Sequence, residues 1–104
     1  MKISVLGLSV AGLMFAGSAM AVDMPAVGKA KCGACHAIDT RVVGPAWKDV
    51  AKKYKGKPNA KKTLITHITT GGSFGWNFGM MPPRGMGATD QEIASLAKFI
   101  LKLK

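Results

Sequence analysis

The chain holds two cysteines, Cys32 and Cys35, and His36 follows the second directly. Two thiols three residues apart on one turn of chain can both reach the vinyl groups of a single porphyrin. Cys-x-x-Cys-His is the spacing that covalent c-type haem attachment requires. The imidazole that follows then falls beneath the ring, within reach of the iron. Cys32 and Cys35 are thus candidate covalent anchors and His36 a candidate axial ligand. Other chemistries use the same residue types but fit less well. A Cys32–Cys35 disulfide would close a tiny loop and constrain the unfolded chain very little. A thioredoxin-like dithiol needs a βαβ setting, which no segment supplies. A structural zinc site needs four ligands at closed geometry. Cys32, Cys35, His36 and His67 are the whole Cys and His supply, in poor spacing.

A second axial ligand must come from elsewhere, and Met80-Met81-Pro82-Pro83 is the best source. Thioether sulfur is a soft, neutral ligand that raises the reduction potential relative to two imidazoles. The two prolines stiffen the chain beside it and leave no amide hydrogens to satisfy. Adjacent side chains of an extended segment point opposite ways, so Met80 and Met81 cannot both face one site. Met81 leads, with Met80 and Met86 as alternatives. A methionine is otherwise core filler, the reading for Met24 and for Met86. His67, with Thr66 and Thr69 around it, reads on its own as a surface residue. An open sixth site, as in a haem enzyme or gas-binding protein, would need a distal acid or base, and this segment offers Met and Pro but no His.

These groups must be positioned by helices. Asp23 can cap a helix with Pro25 in its first turn, running through Ala26, Val27 and Ala30 into the Cys motif. Trp47, Val50, Ala51 and Tyr54 fall on one side of a second helix that Gly56 ends. Asn59 stands where it can cap a third, with Leu64, Ile65 and Ile68 on its apolar face and Gly71-Gly72 as its stop. Thr89-Asp90-Gln91-Glu92 is a capping box opening a fourth. There Ile93, Leu96, Ala97, Ile100 and Leu101 face inward, and Lys102 and Lys104 lie at the favourable pole of the dipole. No segment alternates as a strand does, so the fold class is all-α: about four short helices wrapped around one covalently attached haem c. Between the third and fourth helices Ser73 to Ala88 is rich in Gly, Met and Pro. A loop of that length inside so small a domain needs a function, and covering one face of a porphyrin is one.

The amino terminus is a separate matter. Lys2 is followed by an uncharged run as far as Asp23, ending Ala19-Met20-Ala21. That pattern reads as a secretory signal peptide, residues 1–21, cleaved after Ala21, and an uncleaved membrane anchor is the competing reading. Removing 21 of 104 residues leaves one domain, 22–104, too short to stabilise itself on a thin core alone. A covalently held porphyrin supplies the missing apolar centre. Fifteen Lys and Arg, less Lys2, stand against five Asp and Glu. An exported basic chain meets acidic proteins or anionic surfaces rather than nucleic acid.

The chain resembles the small bacterial class I cytochromes c, single-haem periplasmic electron carriers associated with nitrite reduction and terminal oxidases. The resemblance rests on Cys-Gly-Ala-Cys-His-Ala-Ile-Asp-Thr at 32–40, Val-Gly-Pro-Ala-Trp-Lys-Asp-Val at 43–50, Gly-Trp at 75–76, Met-Pro-Pro at 81–83 and Leu-Ala-Lys-Phe-Ile at 96–100. Their order and spacing cover the whole mature chain. The resemblance implies that Met81 is the second axial ligand and that the Pro45 carbonyl accepts from His36. It implies further that Trp76 donates to a haem propionate and that His67 stands near one. It implies a non-enzymatic, monomeric one-electron carrier, exported through the Sec pathway to the periplasm, without stable membrane insertion. Its partners would be acidic redox proteins such as a reductase, an oxidase or a quinol-oxidising complex. Lys29, Lys31, Lys48 and Arg84 are candidate steering charges. Two places depart from the family pattern. Arg84 stands where the family has Asn, and Asn77-Phe78-Gly79-Met80 replaces a proline-containing approach to the ligand.

Overall fold

A helix-rich chain with one long loop is what folds. The computed structural model describes residues 22–104, so the expected signal segment, 1–21, lies outside the described residues. Four helices follow one another: α1 Ala26–Lys31, α2 Trp47–Tyr54, α3 Ala60–Thr70 and α4 Asp90–Leu101. Extended pairing among the described residues is limited to two isolated bridges, His36 with Arg41 and Gly72 with Met81. This is the all-α architecture expected of a class I cytochrome c.

The apolar periods decide the packing. Trp47, Val50, Ala51 and Tyr54 are all buried, as the stripe on α2 requires. On α4, Ile93, Leu96, Ala97 and Ile100 are buried, and the last three share one core with Leu64 of α3, Trp47 and Tyr54. Phe99 meets the Trp47 ring edge-on with centroids 6.0 Å apart. Leu103, beyond the end of α4, closes the core from below the helix. The capping box forms as expected: Glu92 N–H donates to Thr89 Oγ1 at 3.2 Å and Thr89 N–H to Glu92 Oε1 at 2.9 Å.

Two helix starts differ from expectation. Pro25 rather than Asp23 stands at the boundary of α1, and no side chain caps it. Asp23 stands two residues before that boundary, and α1 ends at Lys31, so the helix does not run into the Cys motif as expected. Asn59 does precede α3, but with φ 61° and no side-chain bond. A capping side chain needs extended backbone to reach the second or third amide. The tight turn from Tyr54 through Lys57 to Ala60 instead forces the left-handed conformation that Asn tolerates.

The loop between α3 and α4 is anchored at three points. Gly72 and Met81 exchange N–H···O bonds, both 2.9 Å. Arg84 N–H donates to Ile68 O at 2.7 Å and Met86 N–H to Lys31 O at 3.0 Å. Gly71 permits this close approach: at φ 72°, a Cβ there would lie 2.5 Å from the Met81 carbonyl oxygen.

Candidate functional site

A deep cleft opens between α2, α3, the segment that joins α1 to α2 and the loop between α3 and α4, enclosing ≈ 1080 Å³ with its open mouth included. Trp47, Val50, Leu64, Ile68 and Ile100 give it an apolar lining, and Cys32, Cys35, His36 and Met81 all face into it. The sequence-selected anchors and ligands, drawn from two segments far apart in the chain, are therefore brought to one place.

The first group is a local construction. Cys35 N–H and His36 N–H both donate to Cys32 O, at 3.0 and 2.9 Å, closing one turn that brings the two thiols to the same side. Val43 and Gly44 then donate to Cys35 O, folding the following segment back beneath the motif. That return delivers Pro45, whose carbonyl accepts from His36 Nδ1 at 2.8 Å. The bond assigns the Nδ1–H tautomer and leaves Nε2 as a lone-pair donor. Burial lowers the His36 pKa below the usual imidazole value, partly offset by the Pro45 bond, so the ring is neutral at pH 7. Burial, with Cys35 second, pushes the Cys32 thiol up.

All three methionines line the cleft, but they differ in exposure. Met81 is half-buried and tied to Gly72, whereas Met80 is 78 % and Met86 68 % exposed. Met86 is thus not core filler; its backbone is held on Lys31 O and its exposed side chain lines the cleft. Met24 does pack against the core.

At one end of the cleft stand Tyr54, His67, Phe74 and Trp76. His67 is no free surface residue: its ring stacks on Phe74 at 3.6 Å and 12°, with Tyr54 edge-on at 5.7 Å. Burial first, and the neighbouring Lys53 charge second, hold its pKa below the usual value. Lys53 Nζ lies 4.6 Å from the Trp76 ring and donates to Phe74 O at 3.3 Å. Sequence reasoning missed Lys53 and Phe74. Nothing local marks Phe74, but a lysine inside the turn that carries Tyr54 was a usable signal for Lys53.

The candidate steering charges divide as well. Lys31 lines the cleft and Lys29 is exposed on α1. Lys48 instead pairs with Asp39 at 2.6 Å. Arg84 turns away from the cleft, bonding Ala88 O at 3.2 Å and Asp90 at 2.7 Å.

The donor set suits an iron porphyrin: an apolar slot, two thiols on one turn, a neutral imidazole with its Nδ1 hydrogen committed, and a thioether. Comparison with known proteins agrees. A family model described as cytochrome c matches residues 25–104. Cytochrome c-551 of Pseudomonas aeruginosa is 41% identical over 102 residues, covering 97% of this chain and 96% of that one. Cytochrome c-552 of Nitrosomonas europaea is 41% identical over 105 residues, covering 100% of both. The crystal structure of wild-type cytochrome c552 from the same organism superposes with a TM-score of 0.69 at 42% identity, over 75% of this chain and 96% of that one.

Proposed function

The chain belongs to the cytochrome c family, as a small class I member with one covalently attached haem c, and from that premise we propose that it is a periplasmic one-electron carrier with His/Met-ligated iron. The observation that carries the reading is the convergence of Cys32, Cys35, His36 and Met81 on one apolar cleft. Cys32 and Cys35 would form the thioethers, with His36 Nε2 and Met81 Sδ as the axial ligands. When bound, the haem supplies one-electron iron chemistry.

The side chains of the chain do the rest. The Pro45 carbonyl holds the His36 ring in one orientation and raises its basicity. Pairing with Gly72 and the stiff Pro82-Pro83 hold Met81 at one depth, which suits a weak bond that must survive both oxidation states. Trp47, Val50, Leu64 and Ile100 exclude water from the cleft. Trp76 and His67 stand at the end where the carboxylates of the porphyrin would find donors. With His36 and Met81 both holding the iron, no substrate would reach it, and this supports a carrier rather than an enzyme. The basic surface around Lys31 would steer acidic redox partners at low salt. Residues 1–21 would be removed on export, leaving 22–104, and the mass of the exported protein tests this.

Absorption spectra of the purified holoprotein test the ligands. Met81→Ala removes the weak red band of the oxidised form, whereas Met80→Ala and Met86→Ala keep it. Carbon monoxide binding to the reduced native protein, which a firm Met81 bond blocks, would overturn the six-coordinate reading.

A further inference from the structure

The Met81 loop is held very unequally on its two sides. After Met81, Arg84 and Met86 donate backbone hydrogen bonds to Ile68 and Lys31. Before it, Asn77, Phe78, Gly79 and Met80 make no backbone hydrogen bond among the described residues. Two of these four have positive φ, Asn77 at 63° and Gly79 at 101°. A Cβ on Gly79 would meet nothing within 4 Å, so backbone packing does not hold the segment either. What holds it is a side-chain contact. The Phe78 ring carries the Arg41 guanidinium 4.2 Å from its centroid and lies along Trp76 at 6.2 Å and 27°.

Arg41 is placed for this contact by the other half of the site, because its backbone pairs with His36. Among the described residues no carboxylate lies within ion-pair distance of it, and Asp39, two residues earlier, is taken by Lys48. Its charge is therefore available to the negative face of the Phe78 ring. Lys53 lies over Trp76, so Phe78 and Trp76 form a pair of stacked rings with a cation, Arg41 or Lys53, at each end.

We propose that Arg41 and Phe78 form a clasp between the His36 segment and the Met81 loop, and that both are positioning residues for the Met81 thioether. The clasp replaces the missing backbone hydrogen bonds ahead of Met81. Releasing it raises the fraction of time the loop stands open and the sixth position is accessible. A cation–π contact at an exposed site corresponds to roughly a two- to fivefold change in such an equilibrium. The inference rests on Met81 as the iron ligand.

Imidazole titration of the oxidised holoprotein, followed by absorbance, is the test. Arg41→Gln and Phe78→Leu should each bind imidazole roughly two- to fivefold more tightly than wild type. The double variant should bind no more tightly than the stronger single, because both changes break one contact. Arg41→Lys and Phe78→Tyr, which keep the charge and the ring, should stay within about twofold of wild type. Singles that titrate as wild type, effects that multiply in the double, or rescue variants as open as the disruptive ones would each overturn the clasp. Met81→Ala separates the two levels. If it binds imidazole much more tightly while the Arg41 and Phe78 variants do not, the clasp alone fails. If it binds no more tightly than wild type, the ligand assignment fails and the clasp with it.

Discussion

Gly44→Ala isolates what the return loop does for His36. Gly44 has no positive φ, so alanine brings no backbone strain there. Its Cβ, however, would sit 2.5 Å from His36 Cε1, 3.0 Å from Nε2 and 3.1 Å from Nδ1. Ordinary contact begins near 3.4 Å, so ring and loop must part by about 0.9 Å. The ring is pinned by its 2.8 Å bond to Pro45 O, which cannot keep its geometry through such a shift. Overpacking of this kind costs about 1–3 kcal/mol, and the lost hydrogen bond about 0.5–1.5 kcal/mol more. In a domain this small each kcal/mol lowers the melting temperature by roughly 4–8 °C. The oxidised holoprotein should therefore melt at least about 6 °C lower than wild type, with altered haem bands in both redox states. Gly56→Ala is the contrast. A Cβ there meets nothing within 4 Å but sits at φ 86°, so it lowers stability through backbone strain alone and leaves the spectrum unchanged. Melting of Gly44→Ala within about 2 °C of wild type, with unchanged spectra, would refute the reasoning.

Three further outcomes are expected. Protonated His67 favours the less positively charged reduced iron, so the potential should fall as pH rises through its pKa; burial and Lys53 place that fall on the acid side of the usual ~6.5. Lys53→Gln should move the fall to higher pH and His67→Gln should abolish it, while Tyr54, the other titratable neighbour, has its pKa raised by burial and stays neutral; an unshifted curve in Lys53→Gln counts against the idea. Thr89→Ala removes the acceptor of Glu92 N–H and should cost about 0.5–2 kcal/mol, read as a lower denaturation midpoint with an unchanged spectrum. Leu96→Ala, at a 1 % exposed position between α4 and the core, should cost about 2–5 kcal/mol by the same measure.

Local patterns were legible where one element contains the whole signal. The stripe on α2 and the Thr89–Glu92 box specify their helices because each acts within a few residues, and both form as read. Caps that depend on how the chain enters the helix were not legible: Asn59 stands at the right position with the wrong backbone. Cys32 and His36 could be read together because one turn contains them. The Pro45 carbonyl bond followed from family resemblance, and the geometry of the return loop accounts for it.

The amino-acid sequence by itself determined the attachment chemistry, the all-α class and the methionine segment that is the candidate source of a sulfur ligand. These follow from residue type and short spacing, which hold whatever the rest of the chain does. The tertiary structure alone decided that Met81 is half-buried while Met80 is 78 % exposed, and that His67 stacks on Phe74. It also decided that Arg84 turns to Asp90 and that Arg41 reaches Phe78. Each depends on the path of an irregular loop, and no periodicity along a segment encodes where such a loop places a side chain.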